Sequence, residues 1–299
     1  MPNLAKIALV TCRQFPDLDA YDAALIPHLK SMGIEAQPAI WDDPNVDWNS
    51  FDLSIVRSTW DYASRRDEFI AWAKSVPRLA NSAAVLEWNT DKHYLRDLRQ
   101  RSVRTVTTLW LEPDQPHSAR RLHTRFPALG EFVLKPAIAA GSIGAGRYTA
   151  NDPYLRGRAI SHARHLLDEG HSVMVQRYIP SVDQLGEIAL VFLDGRYAYA
   201  VRKAAMLHGP ELSSDRLYHQ ETVRGDCSPS EKELELAKRA FDAAMDALGE
   251  PLQPFLYARA DLVQAEDGEP VLLELELTEP SLFPELAPAT ELENRMTRG

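Results

Sequence analysis

"VLLELELTEPSLF", residues 271–283, is the stretch whose reading decides the fold. Leu alternates with Glu as in a β-strand, yet the polar face carries Glu274 and Glu276, with Glu279 just beyond. So apolar a run belongs against a core, where a carboxylate is costly unless paired or bound to a metal. Upstream, "PFLYARADLVQAEDGEPVLLELEL" reads as two alternating runs joined at Asp267-Gly268. As a two-residue type I′ loop, that turn pairs Glu266 with Glu269, setting Asp261 opposite Glu274 and Arg259 opposite Glu276. Like charges directly opposed destabilise a sheet. The acids make sense if cations sit between them, and hard oxygen donors without histidine select Mg2+, with Mn2+ as the alternative. The competing reading is the solvated face of an edge hairpin, to which Pro270 points.

Working outward, the chain of 299 residues suits two or three modules sharing a core. It is 45% apolar and 25% charged, with no run approaching the roughly 18 apolar residues of a membrane span. Its start is too weakly apolar for a signal peptide. Cys12 and Cys227 are the only cysteines, which argues against a disulfide framework and fits a reducing cytoplasm. The formal charge of −10 disfavours nucleic-acid binding, and nine scattered histidines form no metal-like motif. A cytosolic small-molecule protein follows, with no membrane or nucleic-acid partner and with self-association left open.

Strands "AKIALVTC", "IEAQPAI" and "DLSIVRS" alternate with helices near Ala20–Met32 and Arg65–Lys74, predicting an α/β module with a parallel sheet over residues 1–86. "RLAN" reads as a further short strand. Ligands bind such sheets at the carboxyl ends of the strands, here "TCRQFPD" and "VRSTWDY". A second unit, 87–180, opens with a helix that Asn89 or Thr90 would cap. It continues through the strands "SVRTVTTLW", "EFVLKP" and "HSVMVQRYIP". The third, 181–299, holds a hairpin around Asp194-Gly195 and a polar stretch, 206–228, expected to be a loop over the active site. There "SPSE" at 228–231 predicts a capping box, followed by a helix with Leu234, Ala237, Phe241, Ala244 and Leu248 on one face.

Magnesium held by so few carboxylates usually takes substrate phosphates as further ligands, so phosphate-handling groups are expected elsewhere. "GSIGAG" (141–146) is neither a Walker loop nor a dinucleotide fingerprint, and alone is only a glycine-rich turn. Lys135 ends an apolar strand just before it, either snorkelling or paired with an anion. Lys92 lies near a helix start, where backbone N–H groups favour phosphate. Lys203, at the end of the middle hairpin, reads by itself as a surface lysine.

In order, the lysine near a helix start, "VLKP" with its glycine-rich loop, "VQRYI" and the acidic hairpin resemble the ATP-grasp superfamily along essentially the whole chain. "YARADLV", "ELELTEPSLF" and "VRSTWDY" are similar to its O-ureido-D-serine cyclo-ligase group, of D-cycloserine biosynthesis. The resemblance implies an ATP-grasp fold: an α/β pre-ATP-grasp domain, then two α+β subdomains gripping ATP. It implies Lys92 and Lys135 on the α- and β-phosphates and a lid including Gly141, Ser142 and Gly144. Gln176, Tyr178 and Ile179 would line the adenine slot, with Asp183 or Glu187 near the ribose and Lys203 at the γ-phosphate. Asp261, Glu274 and Glu276 would bind a pair of Mg2+ ions, although many members carry Asn at the position of Glu276. Arg259 would stabilise an acyl phosphate, or simply pair with Glu276. An amino-acid-like carboxylate would meet Arg57, Ser58, Asp61 and Tyr62 on one side and Glu279 and Ser281 on the other; a helix N-cap is the plainer role for Asp61. A ligase joining two molecules, a kinase and a non-catalytic ATP-binding regulator remain open on this fold.

Overall fold

The computed structural model describes residues 5–210, 221–249 and 255–283, together with Leu286. Three sheets organise them.

The first sheet is parallel, ordered β2-β1-β3, from β1 (Ala5–Thr11), β2 (Ile34–Ile40) and β3 (Leu53–Ser58). β1 is central, so both its faces are covered, and this explains its unbroken apolar run. Ala8 and Val10 pack with Trp41, Phe69 and Trp72, while Ile7 and Leu9 pack with Leu18. Pro38 is tolerated because β2 is an edge strand. The crossover is two short helices, α1 (Ala20–Ala23) and α2 (Leu25–Ser31), where one was expected; α3 (Arg66–Ser75) follows β3. "RLAN" contributes a single bridge, Ser54 to Leu79, rather than a strand.

The expected helix start at Asn89 or Thr90 is instead the end of α4 (Ala83–Asn89); α5 (Tyr94–Gln100) begins beyond Lys92 with no side-chain cap. Asn89 has a different use. Its amide donates to Leu275 O at 2.7 Å, and its oxygen accepts from Leu277 N at 2.7 Å, fastening α4 to the acidic strand.

The second sheet is antiparallel, ordered β4-β7-β5-β6. Its strands are β4 (Thr108–Leu111), β5 (Glu131–Pro136), β6 (Gly146–Thr149) and β7 (Val173–Arg177). Helices α6 (Ala119–Arg125) and α7 (Pro153–Asp168) cover its apolar face. Of "SVRTVTTLW", only the end is strand.

The third sheet, ordered β10-β9-β8-β11-β12, is also antiparallel. After the short α8 (Ser181–Leu185) come β8 (Glu187–Leu193) and β9 (Arg196–Lys203), joined by a two-residue turn with positive φ at Asp194 and Gly195. The polar stretch expected as a loop contains β10 (Val223–Cys227); residues 211–220 lie outside the described ones. The capping box is Ser230 with Glu233, two residues later than read from "SPSE", and it opens α9 (Glu231–Leu248). The predicted apolar face of α9 packs into the main core with α5 and this sheet.

The last hairpin, β11 (Tyr257–Gln264) and β12 (Pro270–Glu276), corrects the expected turn while keeping the key register. Gln264 pairs with Pro270 and Ala265 N donates to Glu269 O at 2.9 Å, so the loop holds three residues, 266–268, with Gly268 in the left-handed region at φ 80°. A bulge beside Leu273 then restores the pairing of Asp261 with Glu274 and Arg259 with Glu276. It also lets Leu272 and Leu275, three apart, face the same core.

Gly186 opens β8 at φ 74°, and a Cβ there would strike the carbonyl of Lys203. Gly186→Ala is therefore expected to lower stability by about 1–3 kcal/mol. A urea denaturation midpoint equal to that of the parent would refute this.

Candidate active site

A cleft runs between the second and third sheets and reaches the N-terminal module. Its wall includes Lys92, Lys135, Lys203, Arg259, Glu274, Glu276 and Glu279. β12 is an edge strand, but its acids front this cleft rather than bulk water.

The β11–β12 register stacks Arg259 and Asp261 against Glu276 and Glu274. Arg259 is 2% exposed. Its Nε and Nη2 donate to Asp261 at 2.8 Å each, Nη2 donates to Glu276 at 2.7 Å, and Nη1 donates to Ser281 O at 2.9 Å. Lys203, also buried, reaches Asp261 at 2.5 Å and Glu187 at 3.0 Å. Lys135 donates to Glu274 at 2.9 Å, with the Lys92 ammonium 4.0 Å from the same oxygen. Lys92 donates to Ala139 O at 2.7 Å, which ties it to the glycine-rich loop.

The sequence reading missed Glu221. Its carboxylate takes Arg259 Nη1 and Nη2 at 3.1 and 3.0 Å and Lys203 at 2.8 Å. It lies in a polar, unperiodic stretch, so nothing local marks it; an acid shortly before β10 is the one available signal.

The expected ATP-handling residues gather here in part. Gly141, Ser142, Gln176, Tyr178, Ile179 and Glu187 line the cleft; Gly144 and Asp183 do not. Gly144 packs its bare Cα against the Pro136 ring. Asp183 accepts from Arg147 at 2.9 Å and from the Tyr178 hydroxyl at 2.5 Å, and Arg147 stacks on the Tyr178 ring. Gln176 donates to Thr108 Oγ1 at 2.8 Å.

The expected substrate residues divide. Tyr62, Glu279 and Ser281 line the cleft, whereas Arg57, Ser58 and Asp61 lie behind it. Arg57 and Ser58 both bind Asp22, at 2.9 and 2.7 Å, and Arg57 also donates to Pro280 O at 3.0 Å. Asp61 accepts the Trp41 indole N–H at 3.0 Å.

Residues 7–81 match the family model for the N-terminal domain of D-cycloserine synthetase DcsG. Over 283 residues the chain is 35% identical to the cycloserine biosynthesis protein DcsG of Streptomyces lavendulae, covering 92% of each. The chain belongs to the DcsG family. The crystal structure of D-cycloserine synthetase DcsG superposes with a TM-score of 0.84 at 32% identity, covering 98% of this chain and 100% of that one. The D-alanine–D-alanine ligase of Bacillus anthracis complexed with ATP gives 0.65 at 15% identity, covering 98% and 92%, which extends the likeness to the ATP-grasp fold. The expected fold class is borne out, and this DcsG-family chain is an ATP-grasp carbon–nitrogen ligase. Among its described residues no helix is long and apolar enough to cross a membrane.

The DcsG-family cleft sets Glu187, Glu221, Glu274, Glu276 and Glu279 against Lys92, Lys135, Arg177, Lys203 and Arg259, with the buried Asp261 behind its wall paired to Lys203 and Arg259. Burial and the neighbouring acids raise Glu276 from 4.5 to about 8, against the opposing pull of Arg259. Burial raises Glu279 to about 7. Glu274 goes the other way, to about 2: its burial is outweighed by Lys135 and Lys92. Among the described residues no cluster of three His, Cys, Asp or Glu side chains forms a ready metal cage, because Arg259 and Lys203 stand between the acids. The donor set nevertheless suits a hard divalent cation, since Glu274 and Glu276 front the cleft as neighbouring oxygen donors with no histidine or cysteine beside them among the described residues.

A pH dependence follows. The raised Glu276 and Glu279 favour the fold fully below their unfolded value near 4.5, and that contribution is lost as pH climbs through about 7 and about 8. Glu274 is lowered, so its contribution is lost only toward about 2. Without divalent cations, the melting temperature is expected to fall as pH rises through the 7–8 window, and magnesium should reverse the fall. Scans with and without chelator test this; a flat profile refutes it.

Proposed function

We propose that this chain is an ATP-dependent cyclo-ligase that closes O-ureido-D-serine to D-cycloserine. ATP phosphorylates the substrate carboxylate, releasing ADP. The aminooxy nitrogen then attacks the acyl phosphate, expelling phosphate and closing the ring. Addition of water to the ureido carbonyl releases carbon dioxide and ammonia.

The observation carrying this reading is the convergence of Lys92, Lys135, Lys203 and Arg259 with five carboxylates, Glu187, Glu221, Glu274, Glu276 and Glu279, in one cleft. The kinship with a protein of cycloserine biosynthesis supports the choice of product. In this reading Lys92 and Lys135 hold the α- and β-phosphates under the 141–146 loop. Gln176, Tyr178 and Ile179 border the adenine, Glu187 meets the ribose, and Lys203 approaches the γ-phosphate. Asp261, Glu274 and Glu276 hold magnesium, which when bound offsets triphosphate charge. Arg259 binds the transferred phosphoryl group and orients the activated carboxylate, so positioning and charge neutralisation supply the catalysis.

The deciding experiment is an ADP-release screen across amino acids, including O-ureido-D-serine, each with and without a second amine. ADP and D-cycloserine formed from O-ureido-D-serine alone are expected. A strict requirement for a second amine would make it an intermolecular ligase, and a stable phosphorylated product would make it a kinase.

A further inference from the structure

We propose that Glu279, held by Tyr62, is the specificity-determining anchor for the ammonium group of an α-amino-acid substrate. The inference rests on the ligase reading and deepens it.

A zwitterion whose carboxylate meets Arg259 needs an anion close by for its ammonium group. Three acids near the N-terminal module invite comparison. Asp22 is closed off by Arg57 and Ser58, at 2.9 and 2.7 Å, and is 6% exposed. Asp61 is taken by the Trp41 N–H and lies off the cleft. Glu279 alone of the three fronts the cleft, beside Trp60, Tyr62 and Ser281. Its hydrogen-bond partner is the Tyr62 hydroxyl, while Lys92, Arg57 and Arg259 act on it only through space.

The carboxyl is pre-oriented. Tyr62 is 4% exposed and stacks on Phe69 with ring centroids 5.2 Å apart. The turn carrying Glu279 is pinned on both sides, by the Tyr257 hydroxyl on Thr278 O at 2.9 Å before it, and by Arg57 on Pro280 O at 3.0 Å and Arg259 on Ser281 O at 2.9 Å after it. The Arg259 bond brings the cation for the carboxylate and the anion for the ammonium to one turn of the cleft wall. Burial raises the Glu279 carboxyl, as expected of an anion short of a counter-charge that a cationic ligand would supply.

The test compares O-ureido-D-serine with its des-amino counterpart, 3-(ureidooxy)propanoate, in the parent and in Glu279→Gln. The parent should prefer the amino substrate by roughly 10- to 100-fold in kcat/KM, the scale of a charged hydrogen bond. In Glu279→Gln that preference should collapse toward unity through KM, with ATP affinity by calorimetry unchanged. Tyr62→Phe should weaken the preference without abolishing it. A preference retained in Glu279→Gln, or absent in the parent, overturns the proposal. Calorimetric titration of O-ureido-D-serine itself separates the two readings. Were the parent to release no ADP, the ligase reading would fall, and binding lost on Glu279→Gln would still support the anchor. Equal binding by both proteins would overturn it.

Discussion

Glu274→Gln is expected to cut ATP-dependent ADP release by about 10²- to 10³-fold while leaving the fold intact. Glu274 is where the two lysines of the glycine-rich side meet the acidic hairpin: Lys135 binds it at 2.9 Å and Lys92 lies 4.0 Å away. Glutamine keeps the shape but removes the charge, so the lysines lose the anion that aligns them and a hard oxygen donor is weakened. Stability should fall modestly, because the ionised Glu274 favours the fold through Lys135 and Lys92, while both partly exposed side chains can rehydrate. A coupled ADP assay beside a thermal melt separates the two effects. Turnover at the parent rate would remove Glu274 from the metal set.

Arg259→Ala should be the most damaging single change to stability, costing about 3–5 kcal/mol. Arg259 serves Asp261, Glu221 and Glu276 at once, all within 3.1 Å. Truncation would leave those carboxylates buried with Lys203 as their near counter-charge. Arg259→Lys restores a charge but not the fork, which bonds Asp261 through Nε while Nη1 and Nη2 take Glu221. The lysine variant should therefore recover much of the stability and little of the turnover. Urea denaturation of both variants gives the comparison; an alanine variant as stable as the parent would show the network to be energetically idle.

The acidic hairpin was legible because strand periodicity and a glycine turn specify register locally. Even there, the right pairing of Asp261 with Glu274 conceals a compensation: a loop longer by one residue is offset by the bulge at Leu273. Lys135 was legible as a strand-end lysine paired with an anion, here Glu274, whereas Lys203, which by itself reads as a surface lysine, is buried among acids. Glu221 was not, since its role depends on Arg259 and Lys203, which meet it only in three dimensions. The same limit applies to Arg57 and Asp61. Their positions at the end of β3 suggested contact with a ligand, but Asp22 and Trp41, distant in sequence, engage both. Asn89 looked like a helix cap because its residue type favours caps; tertiary partners on β12 claimed it instead.

The bonds from Arg57 to Pro280, and from the Tyr257 hydroxyl to both Val56 O and Thr278 O, bear on how such enzymes can recombine. Asn81 adds three more, to Leu256 N, Tyr257 O and Leu277 O. A chimera that takes its first eighty or so residues from a distant relative would sever these ties unless Asp22, Arg57 and Asn81 travel with their counterparts near the carboxyl end. The inherited unit is thus discontinuous in the gene: an early segment and a late turn, separated by most of the chain, that must change together.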